Sequence, residues 1–262
     1  MPKEEKTLKI ATKKKTFKEI LEEGICTNHE GKMKGIHSIS TSCIENPLCI
    51  ANRKVEGSIC QHCYAKTLQE MRTALHEKDK RNAEYYTKEL VKEEDLPETN
   101  AKLFRLEAFG DLHNRTHLEN YLAIVNHNPE TRFTIYTKNY GLIKEYFSDH
   151  KCPDNMTVVI SSLFLNRRMN VEPFYKLGAF KEGQLKVFTV YDYEFLREHP
   201  EIKINCGSRS CMHCKRCYAE NNTIEVNEIL KKDQRKSETM IELRDPEKVD
   251  TLLDSIDTLL GI

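Results

Sequence analysis

The chain has 262 residues, 39% hydrophobic and 31% charged, with 41 basic residues balanced by 41 acidic ones. That length is enough for one large folded domain, and the balance excludes a global positive field of the kind that gathers nucleic acid. No apolar run reaches membrane-spanning length and no apolar leader segment opens the chain. The expectation is therefore a cytoplasmic protein with no membrane partner, where disulfides are rarely kept and ten cysteines need another account.

Residues 1–18 are charged and fit an edge strand or a tail; the Lys-rich stretch from Lys3 to Lys18 is the best candidate for a local basic surface. Met33 to Ser40 alternates weakly, predicting a strand that runs into Thr41-Ser42-Cys43. A loop containing Pro47, Cys49, Asn52 and Gly57 is expected next, ending at Cys60-Gln61-His62-Cys63. From Tyr64, the spacing of Ala65, Leu68, Met71, Ala74 and Leu75 predicts a long helix into the eighties. Leu103 to Phe109 reads as a strand, and Gly110-Asp111 turns the chain. Thr116 to Val125 reads as a helix, with Thr116 and Glu119 at capping-box spacing. Strands are predicted at Arg132–Thr137, Met156–Ser162 and Leu185–Val190, and helices at Leu142–Phe147, Val171–Leu177 and Tyr193–Glu198. A short strand, Ile202–Ile204, leads into Asn205-Cys206. Polar helical pieces follow Cys217, including Ile224 to Lys232, and a C-terminal helix starts at about Glu247.

This alternation predicts an α/β fold with a parallel sheet, closed into a partial or complete (βα) barrel. An open doubly wound sheet is the alternative. Without a linker rich in Pro, Gly or Ser, the expectation is a single domain, residues 1–262. Its barrel-like core would cover about 33–205, followed by a C-terminal cysteine-rich loop and helices over 206–262. Neither G-x-G-x-x-G nor a Walker loop occurs, so no nucleotide-binding version is indicated.

Eight of the ten cysteines fall into two short stretches, and Cys26 and Cys152 stand apart. The sharper group is Cys206-x4-Cys211-x2-Cys214-x2-Cys217, a spacing that lets one loop wrap a compact inorganic core. Four thiolates at this spacing fit a [4Fe–4S] cluster, or one tetrahedral zinc as the alternative. The other group is Cys43-x5-Cys49-x10-Cys60-x2-Cys63. Cys60 and Cys63 precede the predicted long helix, whose free N–H groups favour thiolate charge. Cys43 and Cys206 each follow a predicted strand, and in an α/β barrel the C-terminal strand ends share the face that carries chemistry. Two [4Fe–4S] clusters opening to the same side are expected. With all four cysteines of the first group as ligands, that cluster is closed. With Cys49, Cys60 and Cys63 alone, one iron is open.

Glu107, Gly110, Asp111 and His113 follow the strand from Leu103. Glycine permits a close approach to a ligand, and the two acids suit an amine, a ribose hydroxyl or a metal; a capped turn with an inward-facing acid is the plainer alternative. Lys138, Asn139, Ser161, Ser162, Tyr191 and Asp192 would line the same rim as loop or binding residues. Cys-Tyr-Ala occurs at the end of both cysteine groups, with Tyr64 and Tyr218 placed either to exclude water or to pack.

At Cys60-x2-Cys63-Tyr64-Ala65 and Phe109-Gly110-Asp111 the chain resembles the radical S-adenosylmethionine proteins. That resemblance implies a partial (βα)6 barrel with a three-cysteine [4Fe–4S] cluster on Cys49, Cys60 and Cys63. It also implies S-adenosylmethionine on the fourth iron, held with Gly110, Asp111 and Glu107, and an auxiliary cluster on the second group. The usual C-x3-C-x2-C is replaced here by ten residues between Cys49 and Cys60. The spaced cysteines ending in Cys-Tyr-Ala, from Cys43 to Ala65, also resemble the phage-associated gene product 88 domain proteins. The expected function is an iron–sulfur enzyme using an electron donor and a small-molecule substrate. The alternatives are a zinc-stabilised module binding protein or nucleic acid, suggested by Arg209, Lys215 and Arg216, and an electron carrier with two closed clusters.

Overall fold

The computed structural model describes residues 16–230, apart from 208, 219, 220 and 222. Most of the expected edge strand or tail, the Lys-rich start before Thr16 and the helix from Glu247 lie outside the described residues. Seven strands, β1 (Cys26–Thr27), β2 (His37–Ile39), β3 (Leu103–Leu106), β4 (Arg132–Thr137), β5 (Met156–Ser161), β6 (Leu185–Tyr191) and β7 (Glu225–Ile229), form one sheet in sequence order. β1 runs antiparallel to β2, and every later pair is parallel. The helices are α1 (Phe17–Gly24), α2 (Pro47–Lys54), α3 (Tyr64–Met71), α4 (Thr73–Lys88), α5 (Arg115–His127), α6 (Tyr140–Tyr146), α7 (Glu172–Tyr175), α8 (Tyr193–Glu198) and α9 (Cys211–Cys214).

Parallel strands that always step the same way need crossovers of one hand, which keeps the connecting helices on one face. Alternation along each strand sends every second side chain to that face. Phe104, Leu106, Phe133, Ile135, Val158, Ile160, Leu185 and Val187 are buried there with Tyr86 of α4, Leu118, Tyr121 and Val125 of α5, and Ile143 of α6. The intervening residues Arg105, Tyr136, Phe188 and Val190 face the opposite side, where they line a cavity.

Among the described strands no backbone pairing joins β7 to β1 or β2, so the described sheet does not close into a barrel. The gap is spanned in another way. Lys32, in the β1–β2 connection, forms an ion pair with Glu228 on β7. The Cys211 N–H donates to the Lys32 carbonyl at 2.7 Å. Ile36 and Leu103 pack against Tyr218, with Cys211, Met212 and Cys217 beside them. On the β7 side, the Asn205 and Cys206 N–H groups both donate to the Asn227 carbonyl, at 3.1 and 3.0 Å.

Several expectations need correction. The loop expected after Cys43 contains α2, started by Asn46, whose side chain accepts from the Cys49 N–H, and by Pro47 in the first turn. The long helix from Tyr64 is divided at Arg72, whose φ of −125° and ψ of 86° are not helical. β3 stops at Leu106 because Glu107 takes φ 55°. α5 is capped by Asn114, which accepts from the His117 N–H at 2.9 Å, so Thr116 lies inside the helix and forms no capping box. Residues 202–204 form no strand, and the last place in the sheet is taken by β7, in the stretch expected to be helical.

Asn120 on α5 fastens the end of α4: its Nδ2 donates to the Tyr86 and Glu89 carbonyls at 2.8 and 2.9 Å, and its Oδ1 accepts from the Val91 N–H at 2.8 Å. Asn120→Ala leaves these groups unpaired and lowers stability by about 1–3 kcal/mol. The expected result is an earlier urea midpoint with an unchanged slope of the transition.

Candidate metal centre

The first cysteine group sits on the loops after β2. Cys43 is buried, Cys49 lies in α2, Cys60 lies in a 3-10 turn (Ile59–His62) and Cys63 caps α3. The Ile59 N–H donates to the Leu163 carbonyl at 2.9 Å, tying this loop to the chain that follows β5. The Cys43 thiol close by, with the N–H groups of Ala65 and Lys66 at the start of α3, favours the Cys63 thiolate and brings Cys63 below the ordinary thiol range despite its burial. The nearness of Cys63, with burial, pushes the Cys43 thiol up. Burial raises Cys49 and Cys60.

The Gln69 amide fixes the surroundings of Cys43. Its Nε2 donates to the Thr41 carbonyl at 3.3 Å and to Asp79 Oδ2 at 2.7 Å, both pure acceptors. Its Oε1 therefore faces Cys43, accepting from the backbone N–H at 3.0 Å and from the thiol at 3.1 Å.

The second group occupies the segment that spans the gap. The Tyr136 hydroxyl donates to Cys217 Sγ at 2.8 Å. Lys32 Nζ lies 3.6 Å from Cys206 Sγ, and Arg216 Nη1 lies 3.8 Å from Cys214 Sγ. Burial raises Cys211 to about 11 and also raises Cys206 and Cys217.

The two groups meet. Cys43, Cys49, Cys60, Cys63, Cys206, Cys211 and Cys217 line one cavity of about 270 Å³. Cys214 lines an adjoining pocket with Cys206, Cys211 and Cys217. None of the ten cysteines is in a disulfide. Among the described residues, no group of three or more His, Cys, Asp or Glu side chains is placed to hold a single metal ion.

Glu107, Gly110 and Asp111 line the same cavity. Glu107 accepts from the Thr41 N–H and hydroxyl at 3.3 and 2.9 Å and from the Tyr121 hydroxyl. Burial raises its carboxyl to about 8. Gly110 has φ 85°, and a Cβ there would lie 2.5 Å from Glu107 Oε2 and 2.6 Å from the Thr41 carbonyl, so only glycine fits. Asp111 accepts from the Thr137 hydroxyl and from the Lys138 and Leu112 N–H groups, both at 2.8 Å. These acids thus stitch the strand ends together.

Lys138 and Ser161, expected on the rim, also line the cavity. Asn139 and Asp192 cap α6 and α8 instead. Tyr64 borders the cavity and remains half-exposed, whereas Tyr218 is buried. Sequence reasoning missed Arg105, whose guanidinium lies 3.6 Å over the Tyr136 ring, and also Lys32 and Tyr136. The available signal was a charged residue inside an apolar strand, at the position that alternates away from the core.

Fold and site together define a mixed α/β protein with a thiol-lined cavity at the C-terminal ends of a mostly parallel sheet. The chain belongs to the Gene product 88 family, whose profile matches residues 3–170. That span takes in the first cysteine group with Glu107, Gly110 and Asp111, and ends before the second. No curated protein and no solved structure matches the chain.

Glu107 gives a pH signature. Its carboxyl is raised from 4.5 to about 8 in the fold, so the native state holds a proton that the unfolded chain releases between these values. This contribution is complete below pH 4.5 and is lost as pH rises through 8, at a slope of about 1.4 kcal/mol per pH unit. Glu107→Gln keeps the neutral shape and flattens this part of the profile. Urea titrations of both proteins at pH 5.5 and 7.5 measure the difference.

Proposed function

We propose that this protein is a two-cluster iron–sulfur enzyme of partial (βα) barrel type, with its reaction in the cavity between the clusters. One observation carries the reading: seven thiols from two distant stretches of sequence line a single cavity at the C-terminal rim of the sheet. Uncapped thiols gathered without disulfides suit a thiophilic inorganic group. A single zinc requires its sulfurs about 2.3 Å from one point, whereas each corner of an iron–sulfur cubane takes its own ligand and accepts a wider ring.

Cys206, Cys211, Cys214 and Cys217 are assigned to a closed cluster, supported by the cations Lys32 and Arg216 near its sulfurs. Cys49, Cys60 and Cys63 are assigned to the other. Cys43 is left out because its sulfur faces the carbonyl oxygen of Gln69, which receives a thiol proton and repels a thiolate. Three ligands leave one iron open towards the cavity, which favours an enzyme over an electron carrier with closed clusters. An external electron donor completes the scheme.

Protein purified anaerobically should be brown and carry about eight irons with matching sulfide. Cys49→Ser, Cys60→Ser or Cys63→Ser removes about half of the iron, while Cys43→Ser retains it. Colourless protein with stoichiometric zinc ends the reading. Adding S-adenosylmethionine to the reduced protein tests the radical version: a changed paramagnetic spectrum supports binding at the open iron, and an unchanged one removes that molecule from the proposal.

A further inference from the structure

Arg105 on β3 and Lys138 after β4 both line the cavity between the thiol groups. Among the described residues, the side chain of neither makes a hydrogen bond or an ion pair, and Arg105 Nε is a buried donor without an acceptor. Both side chains are half-buried, and a donor withdrawn from water, as Arg105 Nε is, costs free energy while it lacks a partner. The nearby charges supply no hydrogen-bonded partner. Glu228 is paired with Lys32. Glu107 and Asp111 already accept from Thr41, Tyr121, Thr137, Leu112 and Lys138 N–H. The sulfurs act on them only through space: Cys60, with Asp111, favours the charged Lys138 and Cys217 the charged Arg105, but the close thiol contacts, at 3.6 and 3.8 Å, belong to Lys32 and Arg216.

The guanidinium is also held in a way that leaves its binding edge open. Its face rests on the Tyr136 ring at 3.6 Å. Stacking uses the plane of the group and leaves the in-plane N–H fork for a planar or tetrahedral oxyanion. Phe188, Val190 and Leu230 give the same cavity an apolar wall.

We infer that the cavity binds a small organic anion, its carboxylate or phosphate head taken by the Arg105 fork, with Lys138 adding positive charge to the same cavity and the apolar body resting against Phe188 and Val190. This names the substrate class of the enzyme proposed above and rests on that reading for its chemistry, though not for binding itself.

Anaerobically purified protein is titrated calorimetrically with benzoate, with phenyl phosphate and with neutral benzyl alcohol, at constant ionic strength. Iron is measured in every sample. One equivalent of benzoate or phenyl phosphate should bind saturably, and benzyl alcohol should not. Binding of benzoate alone identifies a carboxylic acid class, and binding of phenyl phosphate a phosphate ester. Arg105→Gln should weaken binding about tenfold or more, with Lys138→Gln acting in the same direction. Arg105→Lys, which keeps the charge and loses the fork, should fall between and controls for folding. The inference is overturned if neither anion binds saturably, or if Arg105→Gln and Lys138→Gln bind as tightly as the parent. Iron-loaded protein that binds neither anion overturns this inference alone, and iron-free protein that binds one overturns only the cluster reading.

Discussion

The ion pair between Lys32 and Glu228 joins the two edges of the parallel array. Six parallel strands in sequence order place β2 and β7 as far apart as the sheet allows. The first cysteine group hangs from the β2 edge and the second from the β7 edge, yet both line one cavity. That is achieved by curvature of the sheet, and the curvature is held where Lys32 meets Glu228 and where the Cys211 N–H meets the Lys32 carbonyl. Lys32 also stands beside Cys206. A single side chain therefore links the closing of the molecule to the charge of its thiols.

The strand ends inside that curve are fixed by carboxyl groups. Glu107 joins the loop after β2 to the end of β3, and Asp111 joins the loop after β3 to the end of β4. Buried acids are stable only when their oxygens are satisfied, and here the satisfying donors come from the neighbouring loop. The cost of burying the acid thus enforces the alignment of the rim. Gly110 permits the same arrangement from the backbone side, since any side chain would displace Glu107 or Thr41. Gly110 and Asp111 of Phe109-Gly110-Asp111 thus serve the architecture of the rim.

Much of this was legible in the sequence. The runs of branched and aromatic residues at β4 (Arg132–Thr137) and β6 (Leu185–Tyr191) have one dominant period, and the strands formed where it predicts. β7 was hidden because Val226, Ile229 and Leu230 stand at helical spacing, so the stretch reads as a helix; pairing with β6 decides it. The rim position of Cys206 was expected from a preceding strand. It arises instead from a bridge to Glu228 on β7, so the location is as expected and its cause is different. Cysteine spacing pointed to the thiol cavity because local chain reach limits where such ligands can go. Arg105 could be read as a charge on the outward face of β3, but its contact with Tyr136 depends on the register of β3 against β4, which spacing along one strand does not encode.

The gap between β7 and β2 has one further meaning. A wall zipped by a backbone ladder parts only when a row of hydrogen bonds is lost together. This flank is held by an ion pair, one amide contact and a few packed side chains. Removing the Lys32 side chain would therefore loosen this flank without breaking any ladder between β2 and β7, and the segment beside it carries four of the cysteines.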